Sequence, residues 1–418
     1  MNPHEVLLAQ LRGASRHAPR VDVDAITETI ERALATGGVD MRSSTALRVT
    51  ETIQRALSAA GFEAGAAAAH PEGASSARTA LEPANAERGR GVGERPLFAR
   101  GGRGRPEALR REAHLTAAEP MGAGEFVSRS FTNHAGSRAY KLYVPASYAG
   151  QAMPMVVMLH GCTQSPDDFA AGTGMNELAE QYGFLVAYPA QAATANKSKC
   201  WNWFEPNDQG RDRGEPAIIA GITREIAAHY RVDERRIFVA GLSAGAAMAV
   251  ILGATYPDLY AAVGAHSGLP YSAAHDLPSA FAAMQDGADA VPPNPLGRRR
   301  RPQQPPVHAI PTIVFHGDQD FTVSAQNGAA IVAHAASRQD RANDRRLHVE
   351  IQRGTAGGRG YTRANYLDEA RRPVVEHWTL HGAGHAWSGG RLSGSFTDAT
   401  GPSASAEIVR FFYSQLPE

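Results

Sequence analysis

The stretch RRIFVAGLSAGAAMAV, residues 235–250, constrains the fold more than any other part of the chain. Residues that read as a buried strand, Ile237 to Gly241, run into Leu242-Ser243-Ala244-Gly245 and then into an alanine-rich helical pattern. A serine placed where a strand becomes a helix sits on a sharp turn with a strained backbone. Side chains two positions to either side of it would collide, and Gly241 and Gly245 remove them. The turn lifts the Ser243 hydroxyl clear of the sheet. It also sets the hydroxyl at a helix N-terminus, where free N–H groups face a developing anion. An ordinary N-cap serine would look the same in isolation. The buried strand before it and the small Ala246 and Ala247 after it point instead to a nucleophile.

The neighbouring segments repeat the strand-then-helix rhythm. FVSRSFTNHAGSRAYKLYVP reads as a hairpin turning at His134-Ala135-Gly136. MPMVVMLHGC, FLVAYP, RRIFVAG, AAVGAHSG, IPTIVFHGDQD and PVVEHWTLHGAGH read as strands. Helical patterns lie near Asn176–Tyr182, in EPAIIAGITREIAAHY, after Ser243, in SAQNGAAIVAHAASR and in the closing SASAEIVRFFYSQL. Alternation of this kind predicts an α/β fold, a mostly parallel sheet with helices on both faces and an antiparallel hairpin at one edge. LHVEIQRGTAGGRGYTRANYLD adds a second hairpin near the other end.

Residues 1–63 differ from this pattern. ITETIERALATGG and VTETIQRALSAAG echo each other and predict a small helical N-terminal segment. Residues 64–119, rich in Ala, Gly, Pro, Ser and Arg, read as a flexible linker. The catalytic domain is expected over 120–418, broken by a proline-rich, lid-like insertion at 270–310 that carries Arg298–Arg301.

A serine hydroxyl needs a base held by an acid. VFHGDQDFTV follows a later strand, and in His-Gly-x-x-Asp-x-x-Val the acid is Asp320, with Asp318 as the alternative. LHGAGHAWSGG follows the last strand and offers His385 as base, whereas His381 is read as a structural residue still inside the strand. Where MLHGCTQS leaves its strand, the N–H of Cys162 is expected to join that of Ala244 in an oxyanion hole. The chain has two cysteines, Cys162 and Cys200. They form either a disulfide that ties the CWNWF loop to the oxyanion strand or two reduced thiols. Trp201, Trp203 and Trp387 suit the rim of a site for an apolar acyl or polymer chain, with core packing as the other reading of each.

Charge excludes little but informs: 42 Lys and Arg balance 42 Asp and Glu, so no nucleic-acid partner is expected. No apolar run reaches the roughly eighteen residues of a membrane span, so no membrane partner is expected. The N-terminus shows no evident secretory signal, which makes the cytoplasm the default expectation. No metal site is read. Oligomeric state is not legible.

Taken together, HGCTQSPDDFAAGTGMNELAEQYGFLVAYPAQ, CWNWF, GLSAGAAMA, HGDQDFTV and GAGHAWSGG resemble the polyhydroxybutyrate depolymerase family of esterases. That family belongs to the α/β-hydrolase superfamily and is related to feruloyl and acetylxylan esterases. The resemblance runs from about Phe126 to the C-terminus. It implies an α/β-hydrolase fold and a Ser243–His385–Asp320 triad without a cofactor. The implied substrate is an ester, with poly- or oligo(3-hydroxyalkanoate) and short-chain esters foremost. An extracellular setting would follow from the resemblance. Feruloyl or acetylxylan esterase activity, or a non-catalytic granule-binding role, are the alternatives.

Overall fold

The structure is a computed structural model that describes residues 124–288, 309–343 and 345–415. The N-terminal repeats (1–63), the linker (64–119) and the part of the insertion at 289–308, with its arginine run, lie outside the described residues.

A ten-stranded sheet runs in the order β1-β2-β4-β3-β5-β6-β7-β10-β9-β8. The opening hairpin, β1 (Glu125–Asn133) and β2 (Gly136–Val144), turns at His134-Ala135, where Asn133 Oδ1 accepts the Ala135 N–H at 2.9 Å. Within the sheet β3 (Met153–Leu159), β4 (Leu185–Pro189), β5 (Val232–Leu242), β6 (Ala262–His266), β7 (Thr312–Gly317) and β10 (Pro373–Leu380) are mutually parallel. The hairpin β8 (His348–Ala356) and β9 (Arg359–Leu367) continues the sheet antiparallel to β10. A two-stranded ribbon, β11 (Trp387–Ser388) and β12 (Thr397–Asp398), stands apart. Every residue of β3, β4, β6 and β7 is buried, as strands covered on both faces must be.

The covering helices follow from the sequence pattern, with two additions. α1 (Pro166–Thr173) begins at Ser165, which caps the Asp168 N–H with Pro166 in the first turn. α2 (Met175–Tyr182) follows directly and ends at Gly183, left-handed at φ 68°. α3 (Gly214–His229) and α4 (Ala244–Thr255) build the core on one face with Trp201 and Trp203. The lid-like insertion is not structureless at its start. There α5 (Leu277–Asp286) is fixed by a capping box, because Asp276 accepts the Ser279 N–H and the Ser279 side chain accepts the Asp276 N–H. α6 (Ala325–Asn343) packs Ile331 and Val332 near Val314 and Val375. α7 (Ala404–Ser414) buries Phe411 and Phe412 on the opposite face, where Phe412 stacks on Phe238 at 4.6 Å.

The β5–α4 connection is packed at the limit. A Cβ on Gly245 would lie 2.1 Å from the Leu159 carbonyl oxygen and 2.6 Å from that of His160. A Cβ on Gly241 would lie 2.5 Å from the Gly245 carbonyl group. The contacts are to backbone, which cannot swing away. The strand, the turn and the end of β3 therefore touch main chain to main chain. Gly245→Ala is expected to cost about 1–3 kcal/mol by overpacking, measured as a lower urea midpoint; an unchanged midpoint would show that the turn yields.

Buried imidazoles set the response to acid. Burial pushes His160 and His377 down to about 4 and His266 down to about 3, from an ordinary value of 6.5. Between those values the unfolded chain binds protons that the folded chain refuses, so stability falls as pH drops from about 6.5 toward 4. Glu215 works in the opposite sense: burial, and after it Asp208, push it up to about 7 from 4.5. Three histidines against one glutamate leave a net loss. The melting temperature at pH 5 is expected to lie below that at pH 7.5, and a higher value at pH 5 would contradict this.

Candidate active site

The C-terminal ends of the parallel strands share one edge of the sheet, where α/β folds hold their ligands. β3 delivers His160-Gly161-Cys162 there, β5 delivers Ser243, β7 delivers Asp318 and Asp320, and β10 delivers His381 and His385.

Ser243 has φ 57° and ψ −121°, a region that a residue with a Cβ enters at a cost of about 1–3 kcal/mol. Its N–H donates to the His266 carbonyl at 2.9 Å, and its own carbonyl accepts the Ala247 N–H at 3.0 Å. The turn is thus held from β6 and from α4. Ala244 is the first residue of α4, so its N–H has no intrahelical acceptor.

Asp320 and His385 form a pair. His385 Nδ1 donates to Asp320 Oδ2 at 2.8 Å, with the carboxylate wholly buried and the imidazole only 11% exposed. The other carboxylate oxygen accepts the N–H groups of Thr322 at 3.0 Å and Val323 at 2.9 Å. His316 Nε2 lies 3.4 Å from Oδ2 while donating to the Val323 carbonyl at 2.9 Å. Burial alone would raise Asp320. Hydrogen bonds from His316 and His385 overcome it and hold the carboxyl far below the usual range. With Nδ1 donating, Nε2 of His385 keeps the lone pair of a base. Among the described residues, no hydrogen bond joins the Ser243 hydroxyl to His385. Such pairs are often long without substrate and tighten once it binds.

Asp318, the alternative acid, is engaged elsewhere. It accepts His381 Nδ1 at 2.9 Å and the Gly382 N–H at 2.7 Å. His381 is not inside the strand, as the sequence suggested, because β10 stops at Leu380. Its ring is 47% exposed and also meets the Thr362 hydroxyl at 2.9 Å. This pair laces the acid loop to the base loop, together with Asp318 N–H to Leu380 O at 3.1 Å and Gln319 N–H to Ala383 O at 3.0 Å.

The loop after β3 is held on every side. Gly161 N–H donates to Gln164 Oε1 at 2.9 Å, and Thr163 N–H donates to Ser198 O at 2.6 Å. His160 accepts the Gln191 N–H on Nε2 at 3.1 Å, which leaves Nδ1 to donate to Gly161 O at 2.7 Å. Among the described residues, the Cys162 N–H has no acceptor. Of the two states open to the cysteines, the structure contains the disulfide. Cys162 and Cys200 are bonded with Cα atoms 4.2 Å apart, closing a separation of 38 residues.

The tryptophans do not form a rim. Trp201 and Trp387 are 0% and 1% exposed and Trp203 is 5% exposed, so all three are core residues. The indole N–H groups of Trp201 and Trp387 are satisfied internally, by His160 O at 3.1 Å and Ser405 Oγ at 3.0 Å. The exposed apolar side chains on nearby loops are Phe321, Leu392 and Phe396 instead. Sequence reading also passed over His316, His266 and Gln164. His316 carried a signal, since it stands four residues before Asp320 in the same loop motif. His266 carried none beyond ending a strand, and Gln164 none beyond lying in the loop after β3.

Residues 138–344 match the family model described as Esterase PHB depolymerase. Ser243 and Asp320 fall inside the match, and His385 lies beyond its end. The chain is 34% identical over 265 residues to poly(3-hydroxyalkanoate) depolymerase C of Paucimonas lemoignei, covering 62% of this chain and 60% of that protein. It is 29% identical over 223 residues to a probable acetylxylan esterase A of Neosartorya fischeri, covering 49% and 56%. It is 32% identical over 160 residues to feruloyl esterase B of Neurospora crassa, covering 38% and 53%. The chain thus spans 53–60% of the length of these curated relatives. Residues 138–344 are thus similar to the Esterase PHB depolymerase family, and the sheet order and the strand–Ser243–helix turn are those of an α/β-hydrolase fold.

Proposed function

We propose that the protein is a serine carboxylic ester hydrolase. The observation that carries this reading is the buried Asp320–His385 pair, 2.8 Å apart, on the sheet edge where Ser243 is held at φ 57°. His385 Nε2 takes the proton as the Ser243 hydroxyl attacks the ester carbonyl. The oxyanion of the tetrahedral intermediate rests on the N–H groups of Cys162 and Ala244, donors worth about 3 kcal/mol each on the barrier. His385 then protonates the leaving alcohol. Water, deprotonated by the same imidazole, releases the acid from Ser243. Asp320 stays anionic, fixes the tautomer and stabilises the imidazolium.

The substrate reading is an ester of 3-hydroxyalkanoates, polymer or oligomer, or a short-chain ester. Similarity to a poly(3-hydroxyalkanoate) depolymerase supports it. Phe321 and Leu392, 77% and 86% exposed on loops at this edge, offer apolar contact to such chains. Similarity to acetylxylan and feruloyl esterases favours a second reading, an ester on plant polysaccharide.

Ser243→Ala is expected to lower hydrolysis of p-nitrophenyl butyrate by about 10³-fold or more; a rate equal to the wild type would end the esterase reading. In a panel, kcat/KM is expected to be higher on 3-hydroxybutyrate oligomers than on acetylated xylan or methyl ferulate, and the reverse order would select the second reading. The disulfide ties an oxyanion donor to the Cys200 loop. Cys200→Ser is expected to cost about 2–4 kcal/mol of stability and to lower kcat more than it raises KM. Wild-type kcat in that variant would show that the cross-link plays no part in aiming the Cys162 amide.

A further inference from the structure

His266, the last residue of β6, has no part in the chemistry above, yet it touches both halves of it. Its main-chain carbonyl accepts the Ser243 N–H at 2.9 Å. Its ring is 0% exposed and stacks on Phe315 at 5.8 Å and on Trp387 at 5.2 Å. Its Nε2 faces the Ser388 N–H at 3.1 Å. A backbone N–H can only donate, so Nε2 is the acceptor and the proton sits on Nδ1, which faces the Ser267 hydroxyl at 3.2 Å. Ser388, in β11, lies three residues downstream of His385. The segment 381–390 carries Gly382, Gly384, Gly389 and Gly390 and is held in place by hydrogen bonds, among them Trp387 N–H to Phe396 O at 2.8 Å and Ser388 Oγ–H to Pro402 O at 2.8 Å. Its near end is tied by Asp318 to His381 and Gly382. Its far end is tied at Trp387 and Ser388, both against His266.

We infer that His266 is the positioning residue that sets His385 against Ser243: its carbonyl fixes the serine turn and its Nε2, as hydrogen-bond acceptor, anchors the loop that carries the base. The inference rests on the esterase reading. It goes beyond that reading in naming a residue that touches neither substrate nor reacting atoms. Burial keeps the imidazole neutral, so the Nε2 acceptor is present. Main chain to the nucleophile and side chain to the base loop pass through one rigid strand end. A shift of the base by about 1 Å is enough to cost about 10²-fold in rate.

The contrast that tests this is His266→Gln against His266→Met, side chains of similar length with and without a strong acceptor, beside His266→Phe, which keeps an aromatic ring. Each is compared with the wild type and Ser243→Ala on p-nitrophenyl butyrate, and a thermal melt checks that each is folded. Activity in the wild type that Ser243→Ala abolishes establishes the esterase reading separately; if it is missing, that reading fails and not this one. The expected result is that Met and Phe lose kcat about 10- to 100-fold with KM within about twofold, while Gln recovers most of it. Equal kcat in Gln and Met, whether both high or both low, overturns the inference. So does a folded Phe variant with wild-type kcat. If Phe does not fold, the Gln–Met contrast decides alone.

Discussion

The approach of Gly245 to the carbonyl oxygen of Leu159 is the constraint from which the site follows. It brings the start of α4 onto the end of β3 with no side chain between them. Because β3 and β5 are then neighbours at their ends, the loop carrying Cys162 and the turn carrying Ser243 face each other. Ser243 adopts its strained backbone as the consequence. The strain persists because α4 is buried along nearly its whole length and is anchored on a sheet buried on both faces. A looser helix would relax, and the hydroxyl would sink toward the sheet.

The second organising element is a buried anion. Burial of Asp320 would ordinarily protonate it, and main-chain donors with two imidazoles keep it charged. The arrangement is costly unless all the donors hold their places, which explains the lacing around it. Asp318 binds His381 and Gly382, Gln319 binds Ala383, and His266 binds Ser388. The loops at this edge are rich in glycine but are not independent of one another. Their geometry is set by hydrogen bonds between loops rather than by stiffness within each, so preorganisation is a property of the whole edge.

The strands and the Ser243 turn were legible because parallel strands leave continuous apolar runs and the turn demands glycine at fixed positions. Choosing Asp320 over Asp318 was possible from loop spacing, and the structure gives each aspartate its own histidine. The tryptophans were read toward a rim because an indole suits either a pocket or a core. Only the carbonyl of His160 and the hydroxyl of Ser405, distant in sequence, settle that two of them point inward. α5 was missed because prolines around it dominate the composition, although Asp276 and Ser279 encode its cap. α1 was missed because it is short, eight residues, although Ser165-Pro166 and the acidic Asp167 and Asp168 mark its start. His266 was invisible for a deeper reason: nothing local says that an imidazole at a strand end will meet an amide more than a hundred residues later.

In the proposed reaction Ser243, His385 and the amides of Cys162 and Ala244 converge on one carbonyl. A crystal structure of the protein after reaction with diethyl p-nitrophenyl phosphate would show whether they do. The expected adduct is a phosphoryl group on Ser243 Oγ, with its oxygen about 3 Å from both amide nitrogens and His385 Nε2 within reach of Oγ. An adduct on another residue, or one on Ser243 whose oxygen faces neither amide, would contradict the proposed reaction.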